Sequence, residues 1–113
     1  MNNIETSIKE SFKSQNGTAF VFFLDKNFAA FKGHFPHYPL LPGIVQIEIV
    51  LFCIKKLLNN DGLKIKEIKK VKFAKPIFPK SQVDIEIIRQ DLSFKATVKC
   101  GQDLCSQIAL EVL

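Results

Sequence analysis

Between Pro42 and Leu58 the apolar residues Ile44, Val45, Ile47, Ile49, Val50, Leu51, Phe52, Cys53, Ile54, Leu57 and Leu58 occupy every side of a helical wheel. A helix that is apolar all round must be wrapped by other elements, so the pattern predicts a buried helix over about 42–58. Pro42 suits its first turn, where the missing N–H is not needed, and Asn59-Asn60-Asp61-Gly62 supplies the stop. The rest of the chain is strand-like, in pieces running from about Leu63 to Ala74, Gln82 to Gln90, Ser93 to Cys100 and Leu104 to Leu113. Val83, Ile85 and Ile87 alternate with Asp84, Glu86 and Ile88, as a half-solvated sheet requires, and the short separators favour antiparallel pairing.

Ahead of the helix, Thr18 to Leu24 is a β-branched and aromatic run of the buried-strand type. Asn16-Gly17 before it is a hairpin signal, because a type I′ turn needs positive φ at both central positions. The partner strand is expected at about Thr6 to Ser14, although Ile4, Ile8 and Phe12 also fit a helical stripe. Asp25 to Leu41 shows no sustained period and reads as a structured loop, a length at which loops are usually functional or disordered. The resulting architecture is α+β: one long central helix with a curved antiparallel sheet wrapped around it, in a single domain over 1–113.

Composition supports a folded chain. The 113 residues are 47% hydrophobic and 24% charged, which argues against intrinsic disorder. Cys53, Cys100 and Cys105 form no C-x-x-C pair, are odd in number, and read as reduced thiols of a cytoplasmic protein. The first residues lack the basic and apolar regions of a signal peptide. The most hydrophobic window, Ile44 to Leu58, contains Gln46, Glu48 and two lysines and is too short for a membrane span.

Candidate chemistry gathers in the loop and the helix that follows. Glu48 is the sole carboxylate between Asp25 and Asp61. If buried, it would carry a pKa raised toward values useful in acid catalysis; the other reading is a sliver of exposed helix. His34 stands between Gly33, which permits close approach of a ligand, and Phe35-Pro36, which stiffens the backbone. Lone loop histidines, His37 included, are more often structural or solvated than catalytic. Pro42-Gly43 opens the helix, where free N–H groups can point at an oxygen that becomes negative.

The segment His34-Phe35-Pro36-His37-Tyr38-Pro39-Leu40-Leu41-Pro42-Gly43, with Glu48 fourteen positions after His34, resembles the signature of the 3-hydroxyacyl-(acyl carrier protein) dehydratases. Val71-Lys72-Phe73-Ala74-Lys75-Pro76-Ile77-Phe78-Pro79 is similar to a second segment of that family, and the likeness runs from about Gly17 to the end. There are departures: His37 stands for the family's glycine, Leu41 for Met, Phe52 for a frequent Gln, and Pro79-Lys80-Ser81 for Pro-Gly-Asp. The compact form and Leu-Pro-Gly-x-x-Gln look closer to small dehydratases of specialised, aryl-polyene-type pathways.

The resemblance implies a hot-dog fold and reversible loss of water from a 3-hydroxyacyl thioester to give the trans-2-enoyl thioester. It assigns His34 as base, Glu48 as the residue that protonates or orients the hydroxyl, and the Gly43 N–H as donor to the thioester carbonyl. Phe35 and Pro42 fall to substrate binding, with Phe52 and Phe78 lining an acyl tunnel. No cofactor and no metal are implied. His and acid come from different subunits in this family, which implies a homodimer, a higher oligomer of dimers, or a heterodimer with a related dehydratase. Two rivals remain on the same fold: an acyl thioesterase, and a non-catalytic subunit paired with an active one.

The net charge of +5 is local. Nine lysines between Lys55 and Lys80 face Asp61 and Glu67 alone, a segment of +7, while the remainder sums to −2. Lys69, Lys70, Lys72, Lys75 and Lys80 form a candidate docking surface for an acidic acyl carrier protein. The bland reading is a solvated helix end and an edge strand on which lysine discourages pairing. Nucleic acid is a weaker fit, because the segment lacks interleaved aromatic residues.

Overall fold

The computed structural model describes residues 3–32 and 39–113. Helix α1 (Asn3–Ser11) leads into β1 (Phe12–Asn16), β2 (Ala19–Leu24) and a 3-10 turn (Ala29–Phe31). Then come α2 (Gly43–Leu58), β3 (Ile65–Phe73), β4 (Ser81–Gln90), β5 (Ser93–Cys100) and β6 (Asp103–Val112). Among the described residues, six strands form one antiparallel sheet in the order β1-β2-β4-β5-β6-β3, and the fold is α+β with two helices rather than one.

The strand expected at Thr6 to Ser14 is a correction. Its first part is α1, and only Phe12–Asn16 pairs with β2. The helical stripe prevails because Ile8 is buried beside the 3-10 turn, where the Ala29 N–H donates to Ser7 Oγ at 3.1 Å. The hairpin turn is also shifted by one residue. Asn16 pairs with Ala19, so Gly17-Thr18 is the central pair, and Gly17 alone has positive φ, +62°. Glycine at the first central position is the requirement of a type II′ turn.

Helix α2 starts where Pro42, extended at φ −62° and ψ 146°, hands over to Gly43. It ends on Asn59 in the left-handed region: the Asn59 N–H donates to the Lys56 carbonyl at 3.3 Å and the Asn60 N–H to that of Lys55 at 3.0 Å. This 5→2 and 6→1 pattern closes a helix, with asparagine in the place glycine usually takes. Val50, Cys53 and Ile54 of α2 are fully buried with Phe20, Phe22, Phe94, Ile108 and Leu110 from the strands. Among the described residues no helix is long and apolar enough to cross a membrane.

Strand β3 has an apolar residue at positions 65, 68 and 71, a period of three that does not match the alternation of a strand. Two irregularities in the β3–β6 register, at Ile65/Glu67 and Ile68/Lys70, absorb the mismatch. They bring Ile65, Ile68 and Val71 opposite Val112, Leu110 and Ile108, all residues of the core face.

Candidate active site

The sheet covers most of α2 but leaves one stripe open. Ile44 is 62% exposed, Glu48 is exposed, and Leu51, Phe52 and Lys55 are partly so, at the i, i+4, i+7, i+8 and i+11 spacing of one helix face. Of the two sequence readings of Glu48, the structure of the single chain gives the exposed one.

Beside this stripe lies a cleft of about 640 Å³ between α1, β1 and α2, lined by Ile8, Phe12, Glu48, Phe52 and Lys56 among others. Phe52 packs edge-on against Phe12 at 5.6 Å and Phe22 at 5.8 Å between ring centroids. The Lys56 ammonium lies 4.9 Å from the Phe12 centroid and 5.2 Å from that of Phe52, in range for a cation–π contact. The floor is therefore a fixed aromatic cluster, and Glu48 stands on its wall. The sequence named Phe12 only as part of a helical stripe with Ile4 and Ile8; its approach to Phe52 is a long-range contact.

The entry of α2 makes a second group. The Pro42 carbonyl accepts from the N–H groups of Val45 and Gln46, at 3.1 and 3.2 Å. The N–H groups of Gly43 and Ile44 have no acceptor among the described residues, as expected of a first helical turn. A β-carbon built on Gly43 would stand 2.5 Å from Phe73 Cζ, so glycine is what allows that ring to lie over the helix start. The Leu41 N–H donates to the Ile77 carbonyl at 2.8 Å, which holds the Ile77-Phe78 segment beside Pro42. Phe78 thus belongs with the helix entry, and it does not line the cleft that holds Phe52.

A third feature was not assigned a role from the sequence. Gln46, 5% exposed, accepts a hydrogen bond at its Oε1 from the buried Ser106 hydroxyl at 2.7 Å. The available signal was a glutamine in an otherwise apolar helix, since a buried amide needs a partner. His34 and Phe35 lie outside the described residues.

Of the candidate docking lysines, Lys69 pairs with Glu111 at 3.5 Å and Lys75 with Asp103 at 3.0 Å. Lys70, Lys72 and Lys80 have no carboxylate within 4 Å among the described residues. Among those residues no cluster of His, Cys, Asp and Glu could hold a metal ion. The three cysteines are free thiols. Burial pushes the Cys53 thiol far up; it pushes Cys100 up to about 12, helped by a hydrogen bond with Cys105 and by nearby Asp84 and Asp103. Neither is an activated nucleophile.

Comparison with known proteins places this geometry in a family. A family model described as ApeI dehydratase, of the ApeI-like group, matches residues 10–108. The chain belongs to the ApeI-like dehydratases, a hot-dog family related to FabZ. It is 38% identical over 64 residues to the 3-hydroxyacyl-[acyl-carrier-protein] dehydratase FabZ of Koribacter versatilis, covering 50% of this chain and 41% of that protein. To FabZ of Clostridium perfringens it is 34% identical over 88 residues, covering 67% and 63%. The chain spans about half the length of the curated relatives it matches. Among solved structures, the dehydratase heterocomplex ApeI:P from Xenorhabdus doucetiae superposes with a TM-score of 0.73 and 27% identity, covering 89% of this chain and 92% of that one.

Proposed function

We propose that the chain dehydrates a 3-hydroxyacyl thioester carried on an acyl carrier protein, in fatty-acid or polyene-type synthesis. The observation that carries this reading is Glu48: an exposed carboxylate on the open stripe of α2, on the wall of an aromatic-floored cleft. It lies five residues, about 7.5 Å along the axis, from the N–H of Gly43, which has no acceptor among the described residues. That separation suits one substrate whose carbonyl meets the helix start while its 3-hydroxyl meets the acid.

In the reaction His34 takes the proton from C2, the C3–O bond breaks, and Glu48 gives its proton to the leaving hydroxyl, which departs as water. The electron pair of the C2–H bond becomes the C2=C3 double bond. Negative charge gathering on the thioester oxygen is stabilised by the Gly43 N–H at the positive end of α2. Pro42 and Phe35 flank the reacting atoms, the acyl chain runs against Phe52, and Phe78 stands at the helix entry. The domain works in a two-chain assembly, with His34 and Glu48 of one site on different subunits; the heterocomplex formed by the Xenorhabdus protein supports a partner of different sequence. Lys69, Lys70, Lys72, Lys75 and Lys80 attract the acidic carrier protein.

The test is to incubate the chain with 3-hydroxyacyl carrier-protein thioesters, alone and with a co-expressed related dehydratase subunit, and to follow enoyl absorbance. Enoyl product that disappears in a His34→Ala variant supports the reading. Free thiol in place of enoyl product would assign a thioesterase, and full turnover by His34→Ala would remove His34 from the mechanism.

A further inference from the structure

The register of three neighbouring strands builds a charged trough on the outer face of the sheet. Lys70 of β3 and Lys95 of β5 both stand opposite Ala109 of β6, and Lys72 and Thr97 both stand opposite Gln107. Residues directly opposite each other share a face. That face is the outer one, because Gln107 and Ala109 alternate with Ser106, Ile108 and Leu110, which are buried on the helix side. Lys99 follows Thr97 by two residues and points outward in the next row. Lysines therefore line both flanking strands, and the floor between them is uncharged.

Lys70, Lys72, Lys95 and Lys99 are exposed and have no carboxylate within 4 Å among the described residues. Glu67 and Glu111 close one end of the trough, where Lys66 and Lys69 hold Glu111 at 3.4 and 3.5 Å. Asp84 and Glu86 lie beyond β5, opposite Lys99 and Thr97. Glu86 accepts from the Thr18 hydroxyl at 2.8 Å, and Asp84 from Gln82 Nε2 at 3.2 Å. Lysines on β3 suit an edge, where they discourage pairing. That reason does not reach Lys95 and Lys99, since β5 is bonded to β4 on one side and β6 on the other.

We propose that the trough seats an acidic α-helix of a protein partner other than the substrate carrier. Its walls are two strand spacings apart, about 10 Å, which is about the width of an α-helix with its side chains. Lys70 and Lys72 are about 7 Å apart along β3, close to the rise of about 6 Å between helix positions i and i+4. A helix with a stripe of small residues over Ala109 and carboxylates on both flanks of that stripe meets lysines on each wall. The rows of Ala109 and Gln107 offer no aromatic ring on which a nucleic-acid base could stack. Gly43 and Glu48 belong to α2 on the other face of the sheet, so the occupant is held and not processed. Lys70 and Lys72 still add to the field that draws the carrier; Lys95 and Lys99 are what make a seat.

The probe is a synthetic helical peptide with glutamates on the two flanks of an alanine stripe, followed by fluorescence anisotropy at low ionic strength. Lys70→Glu with Lys95→Glu should weaken its binding at least about 10-fold, because each reversal turns an attraction into a repulsion. Lys13→Glu with Lys26→Glu changes the net charge equally at exposed lysines outside the trough, and should weaken it no more than about twofold. Ala109→Phe leaves the charge unchanged but fills the floor, and should also cost at least about 10-fold. A peptide of the same composition with its glutamates scattered around the helix should bind more weakly than the striped one. Binding of unacylated acyl carrier protein should be indifferent to Ala109→Phe. Equal loss in the two charge-reversed proteins, undiminished binding to Ala109→Phe, no preference for the striped peptide, or no binding of it would overturn the proposal. So would loss of carrier binding in Ala109→Phe, or binding of phosphatidylglycerol vesicles or single-stranded DNA that exceeds the peptide's and is lost in that variant.

Discussion

The Ser106 hydroxyl of β6 donates to the Gln46 Oε1 of α2 at 2.7 Å in the interior, and Ser106 is also the residue opposite Phe73 on β3. One polar contact therefore ties the rotation of α2 to the sheet, two residues before Glu48 and three after Gly43. Ser106→Ala leaves the buried Gln46 oxygen without its donor. The expected cost is about 1–3 kcal/mol, read by urea denaturation. Gln46→Leu combined with Ser106→Ala should recover part of it, since removing both partners is less costly than orphaning one.

Gly43 carries a different constraint. In Gly43→Ala the new methyl group meets the Phe73 ring, which is half exposed and can swing outward. The ordinary helical preference for alanine over glycine, about 0.5–1 kcal/mol, offsets that displacement. Stability should change by less than about 1 kcal/mol. Turnover should fall at least about 10-fold, because the methyl and displaced ring crowd an N–H whose loss in comparable sites costs 10²–10³. A melting curve and an enoyl assay on the same preparation separate the two effects.

Glu48→Gln tests the proposed acid directly. The side chain is exposed and has no ion-pair partner within 4 Å among the described residues, so stability should move by no more than about 0.5 kcal/mol. Loss of a proton donor should lower turnover by about 10²–10⁴-fold. An unchanged rate in a folded Glu48→Gln protein would take the carboxylate out of the reaction.

These residues also show where the sequence was informative. Helix α2 was legible because Pro42 and Asn59-Asn60 punctuate an unbroken apolar run, and β4 to β6 were legible from their alternation and short turns. Three features depended on long-range contacts. Helix α1 forms where the 3-10 turn and α2 bury Ile8, which local propensity does not reveal. The open stripe on α2 is invisible on a helical wheel that is apolar all round, since only the extent of the sheet decides which side stays uncovered. The alignment of β3 needs two register shifts that its period of three hints at but does not locate.

Phe52 couples packing to specificity. It is half buried and edge-on to Phe12 and Phe22, so Phe52→Ala should cost about 2 kcal/mol, below the 3–5 kcal/mol of a fully buried phenylalanine. It also deepens the cleft beside Glu48. The preferred substrate should shift toward longer acyl chains, measured as kcat/KM across a graded thioester series, while Phe52→Leu should shift it less.

The Cys100 thiol predicts an alkaline loss of stability with a definite sign. Its ordinary value of 9.0 holds in the unfolded chain, whereas in the fold burial, the hydrogen bond with Cys105 and the nearby carboxylates push it up to about 12. Between those values the unfolded chain has released this proton and the folded chain still holds it. Stability therefore falls as pH rises from 9 toward 12, and this contribution is fully present below 9. The measurement is a difference: the melting temperature of Cys100→Ala should decline less steeply above pH 9 than that of the wild type. Parallel declines would show that Cys100 ionises alike in both states and is not held protonated by its neighbours on the β5–β6 hairpin.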